Sequence, residues 1–200
     1  MYKGRGDKND ISNYRPISVV CHIAKLIERE VQCQFLSYLQ THNLINIDQY
    51  AFLPNHSTNT CLLRVIDDWY EAFNENEIVG ACFLDISKCF DCIDHELLLF
   101  KLRKYGVMNT EIKWFTSFLS DRKQSVFCHG KMSDAKDITV GIPQGSILGP
   151  SLFLVFINDI TECLRSCTCN IYADDVVIYY PHKDLNVITT KLQADLYAIK

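Results

Sequence analysis

The sequence predicts an α+β fold, an antiparallel sheet with helices on one face. Three observations predict it. Apolar residues recur at helical spacing early in the chain, at Ile23, Ile27, Val31, Phe35 and Leu39. From Ile78 onward, strand-like apolar runs interleave with helical patterns. Near the end, two short apolar runs flank Asp174-Asp175, the pattern of a hairpin. A length of 200 residues allows one domain, or one domain with a small lobe. With 48% hydrophobic residues the chain can fill a core, which excludes a disordered tail. No signal peptide and no apolar run long enough to cross a membrane are present, so an intracellular protein is expected.

The elements follow in order. The stripe from His22 to Leu39, widened by Leu26 and Leu36, is an amphipathic helix. A loop with Asn43, Asn46, Asp48 and Pro54 precedes a second helix marked by Leu62, Ile66, Tyr70 and Phe73, with Thr58 or Asn59 as its cap. Ile78 to Ile86 is an apolar, β-branched run that reads as a buried strand. Asp94 caps a helix holding Leu97, Leu98 and Leu102, and Gly106 ends it. Thr110 opens a helix through Ile112, Trp114, Phe115 and Phe118. Ser125–His129 and Ile138–Val140 read as short strands around a polar turn. Leu148 to Ile160 is a strongly apolar helix that tolerates Pro150 in its first turn. Asn170–Ala173 and Val176–Tyr180 form the hairpin, and Leu185, Ile188, Leu192, Leu196 and Ile199 start a last helix.

The net charge of −4 lacks the basic footprint usual in nucleic-acid binders. Basic residues do gather at Lys3, Arg5, Lys8 and Arg15, and at Lys101, Arg103 and Lys104. The ten cysteines lie inside apolar runs (Cys82, Cys89, Cys92, Cys163) more than in turns, which reads as reduced, buried thiols. Cys163, Cys167 and Cys169 lack the paired spacing and nearby His of a structural zinc site.

Two segments break the apolar logic. Asp85 sits near the end of a strand, and Asp174-Asp175 sit between apolar residues. A buried charge costs several kcal/mol unless it is paired or binds metal. No Lys or Arg lies inside either run, and carboxylate oxygens are what Mg²⁺ prefers. Either segment alone reads more readily as an ordinary strand end or turn. A third segment, Gly141 to Ser146, is a glycine-bounded turn leading into a helix. Its backbone can approach a ligand closely, and the Gln144 amide donates and accepts without adding charge.

Together and in this order, the segments resemble the reverse transcriptase family. Phe83 to Asp91 resembles its motif A, Gly141 to Pro150 its motif B, and Tyr172-Ala173-Asp174-Asp175 its motif C. Tyr14 to Ser18 resembles the opening motif, and Gln49 to Phe52 with Ser57-Thr58 the fingers motif. Asp94-His95, Trp114 and Leu119 to Gln124 follow the pattern of non-LTR retrotransposons of the jockey and related clades. The resemblance runs from about residue 10 to 200. It implies the fingers and palm of a right-hand polymerase, with an antiparallel palm sheet backed by helices and the thumb absent. Residues 1–200 would be one incomplete domain, with about 10–75 as fingers and about 76–200 mainly palm with interleaved fingers elements.

The resemblance also implies roles. Asp85, Asp174 and Asp175 would be catalytic and hold two Mg²⁺ ions, with Mn²⁺ as an alternative and the Ile86 backbone beside the metal. Phe90 would stand at the sugar of the incoming nucleotide as a steric gate, Gln144 and Gly145 would contact that nucleotide, and Tyr172 would lie near the primer end. The implied partners are an RNA template, a DNA primer and dNTPs, with no membrane. Nuclear access is expected from the retrotransposon lifestyle, although no signal for it is visible. The chain departs from the family at Leu53-Pro54-Asn55-His56, where a basic residue commonly follows the aromatic. Cys89 also replaces a usual Ala. The chain stops before the later palm motifs and primer grip, which reads as a truncated fragment. A degenerate remnant that at most binds RNA is the alternative reading.

Overall fold

In chain order the elements are α1 (His22–Thr41), α2 (Thr58–Asn74), β1 (Ile78–Asp85), α3 (His95–Lys104), α4 (Asn109–Leu119), the two-residue strands β2 (Lys123–Gln124), β3 (Phe127–Cys128), β4 (Lys131–Met132) and β5 (Lys136–Asp137), then α5 (Gly149–Ile157), β6 (Thr168–Tyr172), β7 (Asp175–His182) and α6 (Leu185–Ile199). This computed structural model describes all residues except 1, 3, 5, 11, 12, 15, 87, 129 and 200. The basic residues Lys3, Arg5 and Arg15, Ser87 of the motif A stretch, and His129 of the predicted 125–129 strand therefore lie outside the described residues. Among the described residues no helix is long and apolar enough to cross a membrane. The chain forms two compact units, one from residues 1–38 and 90–152, the other from 39–89 and 153–200.

The second unit holds the main sheet, antiparallel in the order β1-β7-β6. Val176, Val177, Ile178 and Tyr179 of the central strand β7 are all buried. Side chains alternate between faces along a strand, so both faces of β7 need cover. On one face Val177 and Tyr179 pack with Val65 and Trp69 of α2 and with Val79. On the other, Gly80 of β1 runs against α6, where an added Cβ would overlap Ile188 and come within 3.1 Å of Leu192. Helices thus cover both faces, where the periodicity placed them on one. The parallel bridge Gln49–Ile171 adds a short segment to the outer side of β6.

Two expectations change in this unit. β1 is an edge strand, alternately exposed and half-buried rather than buried throughout, and its Phe83 is 73% exposed. An apolar run does not show how many sides of a strand are covered. In α2 the buried residues are Cys61, Val65 and Ala72, whereas the predicted stripe is turned outward at Leu62, Tyr70 and Phe73. The helix is apolar on more than one side, and the sheet takes the side with the smaller residues plus Trp69. Its cap is Ser57, with the reciprocal Ser57–Thr60 capping box, one residue before the predicted Thr58.

The first unit packs α3 and α4 together with Leu98, Leu102, Phe115 and Leu119 buried. The Phe35 ring of α1 lies 5.2 Å from that of Phe115. Asp94 caps α3 as expected, accepting the Leu97 N–H at 2.8 Å. In α1, Phe35 is buried in the stripe, but Ile23, Leu26 and Ile27 are exposed. The hairpin region also differs from expectation. Phe127–Cys128 pairs with Lys131–Met132, not with 138–140, and an outer pair joins Lys123–Gln124 to Lys136–Asp137. Val140 instead bridges Asp94. Among the cysteines, Cys92 and Cys163 are exposed, contrary to expectation. Cys163 ends a 3-10 turn (Ile160–Cys163), and Cys92 follows one (Cys89–Asp91), so neither lies on a regular apolar face.

Candidate active site

The acidic segments end up beside each other. β1 and β7 pair without a bulge from Ile78–His182 to Asp85–Asp175. Directly opposed residues of antiparallel strands point to the same face, with Cα atoms about 4.5–5.5 Å apart. Asp85 and Asp175 therefore share one face at the sheet's end. The Ile86 N–H donates to the Asp174 carbonyl at 3.1 Å, which carries the ladder one step further. Asp174 occupies the two-residue turn Ala173-Asp174 between β6 and β7. Ala173 takes the left-handed conformation there, with φ of 57°. On the other side of β7, Tyr172 pairs with Asp175. The carboxylates of residues 85 and 174–175 thus lie at one end of one sheet, although remote in sequence.

Burial is not what marks them. Asp85 and Asp175 are exposed and Asp174 is half-buried. Their apolar neighbours in sequence point into the sheet's faces, while the strand end opens to water, so the expected cost of burying a charge does not arise. Among the described residues none of the three forms an ion pair with Lys or Arg. Nor, among those residues, does any group of three or more His, Cys, Asp or Glu side chains form a metal-holding cluster. Mg²⁺ commonly takes one or two protein carboxylates and completes its shell with water and substrate phosphates. The opposed pair Asp85 and Asp175, with Asp174 next to them, fits that donor set.

The turn is braced from within its own unit. The Gln49 side chain is buried, and its Oε1 accepts the N–H groups of Ala51 at 2.8 Å and Ala173 at 3.5 Å. The main chain beside it is fixed to β6, with Tyr50 N–H on the Ile171 carbonyl at 2.9 Å and Ile171 N–H on that of Asp48 at 2.8 Å. Burial pushes the Asp48 carboxyl above its usual range, against the opposing pull of Arg64. Gln49 carries no role in the sequence reading beyond its place in the fingers motif. Nothing in its polar loop surroundings, beside Asn46 and Asp48, marks it for burial.

Phe90, Gln144 and Gly145 lie in the other unit and are joined within it. Phe90 is half-buried in the 3-10 turn, and its carbonyl accepts the Ile142 N–H at 2.8 Å. Gln144 Nε2 donates to Asp91 Oδ1 at 2.9 Å, and the Gln144 carbonyl accepts the Ser18 N–H at 2.8 Å. Gly145 has a φ of 121°, and a Cβ on it would stand 2.8 Å from the Ser18 carbonyl oxygen. This position excludes any side chain. One residue that the sequence reading missed is Glu28, buried on α1 and hydrogen-bonded to the segment after Gly145. Its signal was available, since residues 28, 32, 35 and 39 fall on one side of a helix and the first two are polar.

The sequence pattern of the family described as reverse transcriptase (RNA-dependent DNA polymerase) matches residues 6–199. The RNA-directed DNA polymerase from mobile element jockey of Drosophila funebris is 32% identical over 181 residues, which span 90% of this chain and 19% of that protein. Its counterpart from Drosophila melanogaster is 32% identical over 207 residues, spanning 100% of this chain and 22% of that protein. The probable RNA-directed DNA polymerase from transposon BS of Drosophila melanogaster is 30% identical, over 90% of this chain and 21% of that protein. This chain thus spans about a fifth of the curated relatives it matches. Among solved structures, apo telomerase from Candida tropicalis superimposes with a TM-score of 0.60 over 88% of this chain and 35% of its own. At 14% identity that likeness concerns the fold.

Proposed function

We propose that this chain, which belongs to the reverse transcriptase (RNA-dependent DNA polymerase) family, supplies the catalytic carboxylates of an RNA-directed DNA polymerase of the non-LTR retrotransposon type. The observation that supports this most is the strand register setting Asp85 opposite Asp175, with Ile86 hydrogen-bonded to Asp174. The family generally uses divalent metals. In this reading Asp85, Asp174 and Asp175 hold two Mg²⁺ ions, or Mn²⁺, with the Ile86 backbone beside them. Bound there, such ions would supply Lewis acidity toward a primer 3′-hydroxyl and positive charge toward the leaving pyrophosphate. The chain's own part is to hold those oxygens at a rigid strand end, since phosphoryl transfer asks mainly for positioning. Phe90 acts as the steric gate that favours dNTPs, Gln144 and Gly145 contact the incoming nucleotide, and Tyr172 lies near the primer end.

The partners in this reading are an RNA template, a DNA primer and dNTPs, and the protein reaches the nucleus to copy its element. Residues of about 10–75 serve as fingers, and those of about 76–200 mainly as palm. A non-catalytic remnant that at most binds RNA is the second reading, favoured by Leu53-Pro54-Asn55-His56 where a basic residue is common. The test is dNTP incorporation on a primed RNA by the polypeptide carrying this chain at its natural length. Mg²⁺-dependent extension is expected, with at least a ~100-fold loss in Asp174→Asn. Extension unaffected by that substitution refutes the assignment. RNA binding without any synthesis favours the remnant.

A further inference from the structure

Glu28 is 3% exposed, a carboxylate inside the unit that carries Gln144 and Gly145. One of its oxygens, Oε2, accepts three hydrogen bonds: from Ser146 Oγ at 2.7 Å, from the Ile147 N–H at 2.7 Å and from the Leu148 N–H at 3.3 Å. Ser146 Oγ in turn accepts the Gly149 N–H at 3.1 Å. These N–H groups stand at the entry of α5, where a helix leaves donors without internal partners and where its dipole favours negative charge. A side chain of the segment itself ordinarily meets that need. Ser146 meets it for Gly149, but the acceptor for Ile147 and Leu148 comes from α1, 119 residues away in sequence at Ile147. The Ser146 cap alone would start the helix without burying a charge, which is costly unless every contact is made. What the distant carboxylate adds is a fixed position for residues 145–148 relative to α1.

The same stretch is tied at its other end, through Gln144 to Asp91 and Ser18. Between the two ties lies Gly145, whose backbone approaches Ser18 too closely for a side chain. We infer that Glu28 is a positioning residue of the polymerase site: its carboxylate sets the Gly145–Leu148 backbone and thereby the pose in which Gln144 and Gly145 meet the incoming nucleotide. This rests on the reading of Gln144 and Gly145 as nucleotide-contacting residues. Glu28 itself touches no substrate, so its loss weakens nucleotide binding more than it slows the chemical step.

The experiment compares wild type, Glu28→Gln and Ser146→Ala in the polypeptide at its natural length. Steady-state primer extension and amide hydrogen exchange are both measured. Glu28→Gln keeps the shape and one acceptor oxygen but loses the charge. It is expected to raise the KM for dNTP about tenfold while kcat stays within about threefold. Exchange at Ile147 and Leu148 is expected to quicken about tenfold, while exchange in the α3 core is unchanged. Ser146→Ala removes one donor and shifts both readouts the same way by less, which decides the matter if Glu28→Gln does not fold. An unchanged KM, or local exchange as slow as in wild type, overturns the positioning role while wild-type extension leaves the polymerase reading intact. A parallel fall in kcat and in global protection shows Glu28 to be merely structural and also overturns it. Absence of Mg²⁺-dependent extension by the wild type overturns the polymerase reading itself.

Discussion

Asp195 shows what one buried carboxylate contributes at the scale of a residue. It is 1% exposed on α6 and accepts the N–H groups of Arg165 at 3.1 Å, Ser166 at 2.9 Å and Cys167 at 2.7 Å, which lead into β6. Burial alone would push its carboxyl up, but the hydrogen bonds from Cys167, Ser166 and Arg165 outweigh burial and leave it below the ordinary value. A depressed folded-state value means stability that is present above the unfolded pKa, about 3.9. That stability is lost as pH falls through the folded value. Asp195→Asn is therefore expected to flatten the acid limb of a plot of unfolding free energy against pH below about 4, measured by urea titration. Asp195→Ala is expected to cost about 2 kcal/mol or more at neutral pH, because three partly buried N–H groups lose a charged acceptor. The Cys167 thiol, burdened by burial and by Asp195, is pushed up to about 12 and stays protonated beside them.

At the scale of an element, α2 decides between two faces. Val65 packs on Val177 and Tyr179 of the sheet, whereas Leu62 is 57% exposed. The same face carries Asp68, whose carboxylate accepts a hydrogen bond from the Tyr179 hydroxyl, while Tyr179 accepts from Asn170 at 2.9 Å. Burial and the Asp68 bond both push the Tyr179 phenol up, so it remains a donor at any ordinary pH. Val65→Ala is expected to destabilise by at least about 1 kcal/mol and Leu62→Ala by less than about 0.5 kcal/mol, read from chemical unfolding. The reverse order would place the predicted Leu62–Tyr70 stripe against the core after all. Helical periodicity finds the helix in either case. It cannot choose between two apolar sides of it, because the choice lies in the shape of the sheet that receives them.

At the scale of the molecule, the role proposed for the acidic strand end would set stability against function. Asp85 and Asp175 stand directly opposed across the ladder, with Asp174 next in the chain and no basic partner among the described residues, and like charges directly opposed across a ladder repel. Asp85→Asn is therefore expected to leave the melting temperature unchanged or slightly raised without metal, while removing Mg²⁺-dependent primer extension. A thermal melt and an extension assay on one preparation check both halves. A clear loss of stability would make Asp85 a structural residue.

Local pattern alone was enough for the helices, for the residues that carry the family likeness and for the presence of the hairpin, whose turn lies one residue earlier than expected, at Ala173-Asp174 with Asp175 already in β7. Each rests on spacing along the chain: every third or fourth residue, every second residue, or a short turn. Tertiary structure decided the rest. It determined which side of α2 is buried, that β1 lies at an edge, that 127–128 pairs with 131–132, that the distant Glu28 holds the segment after Gly145 within its own unit, and that Gln49 holds the Ala173-Asp174 turn within the other. The physical reason is common to all of these. Register, edge position and a buried polar bond are properties of two segments at once, and no single stretch of sequence records its partner.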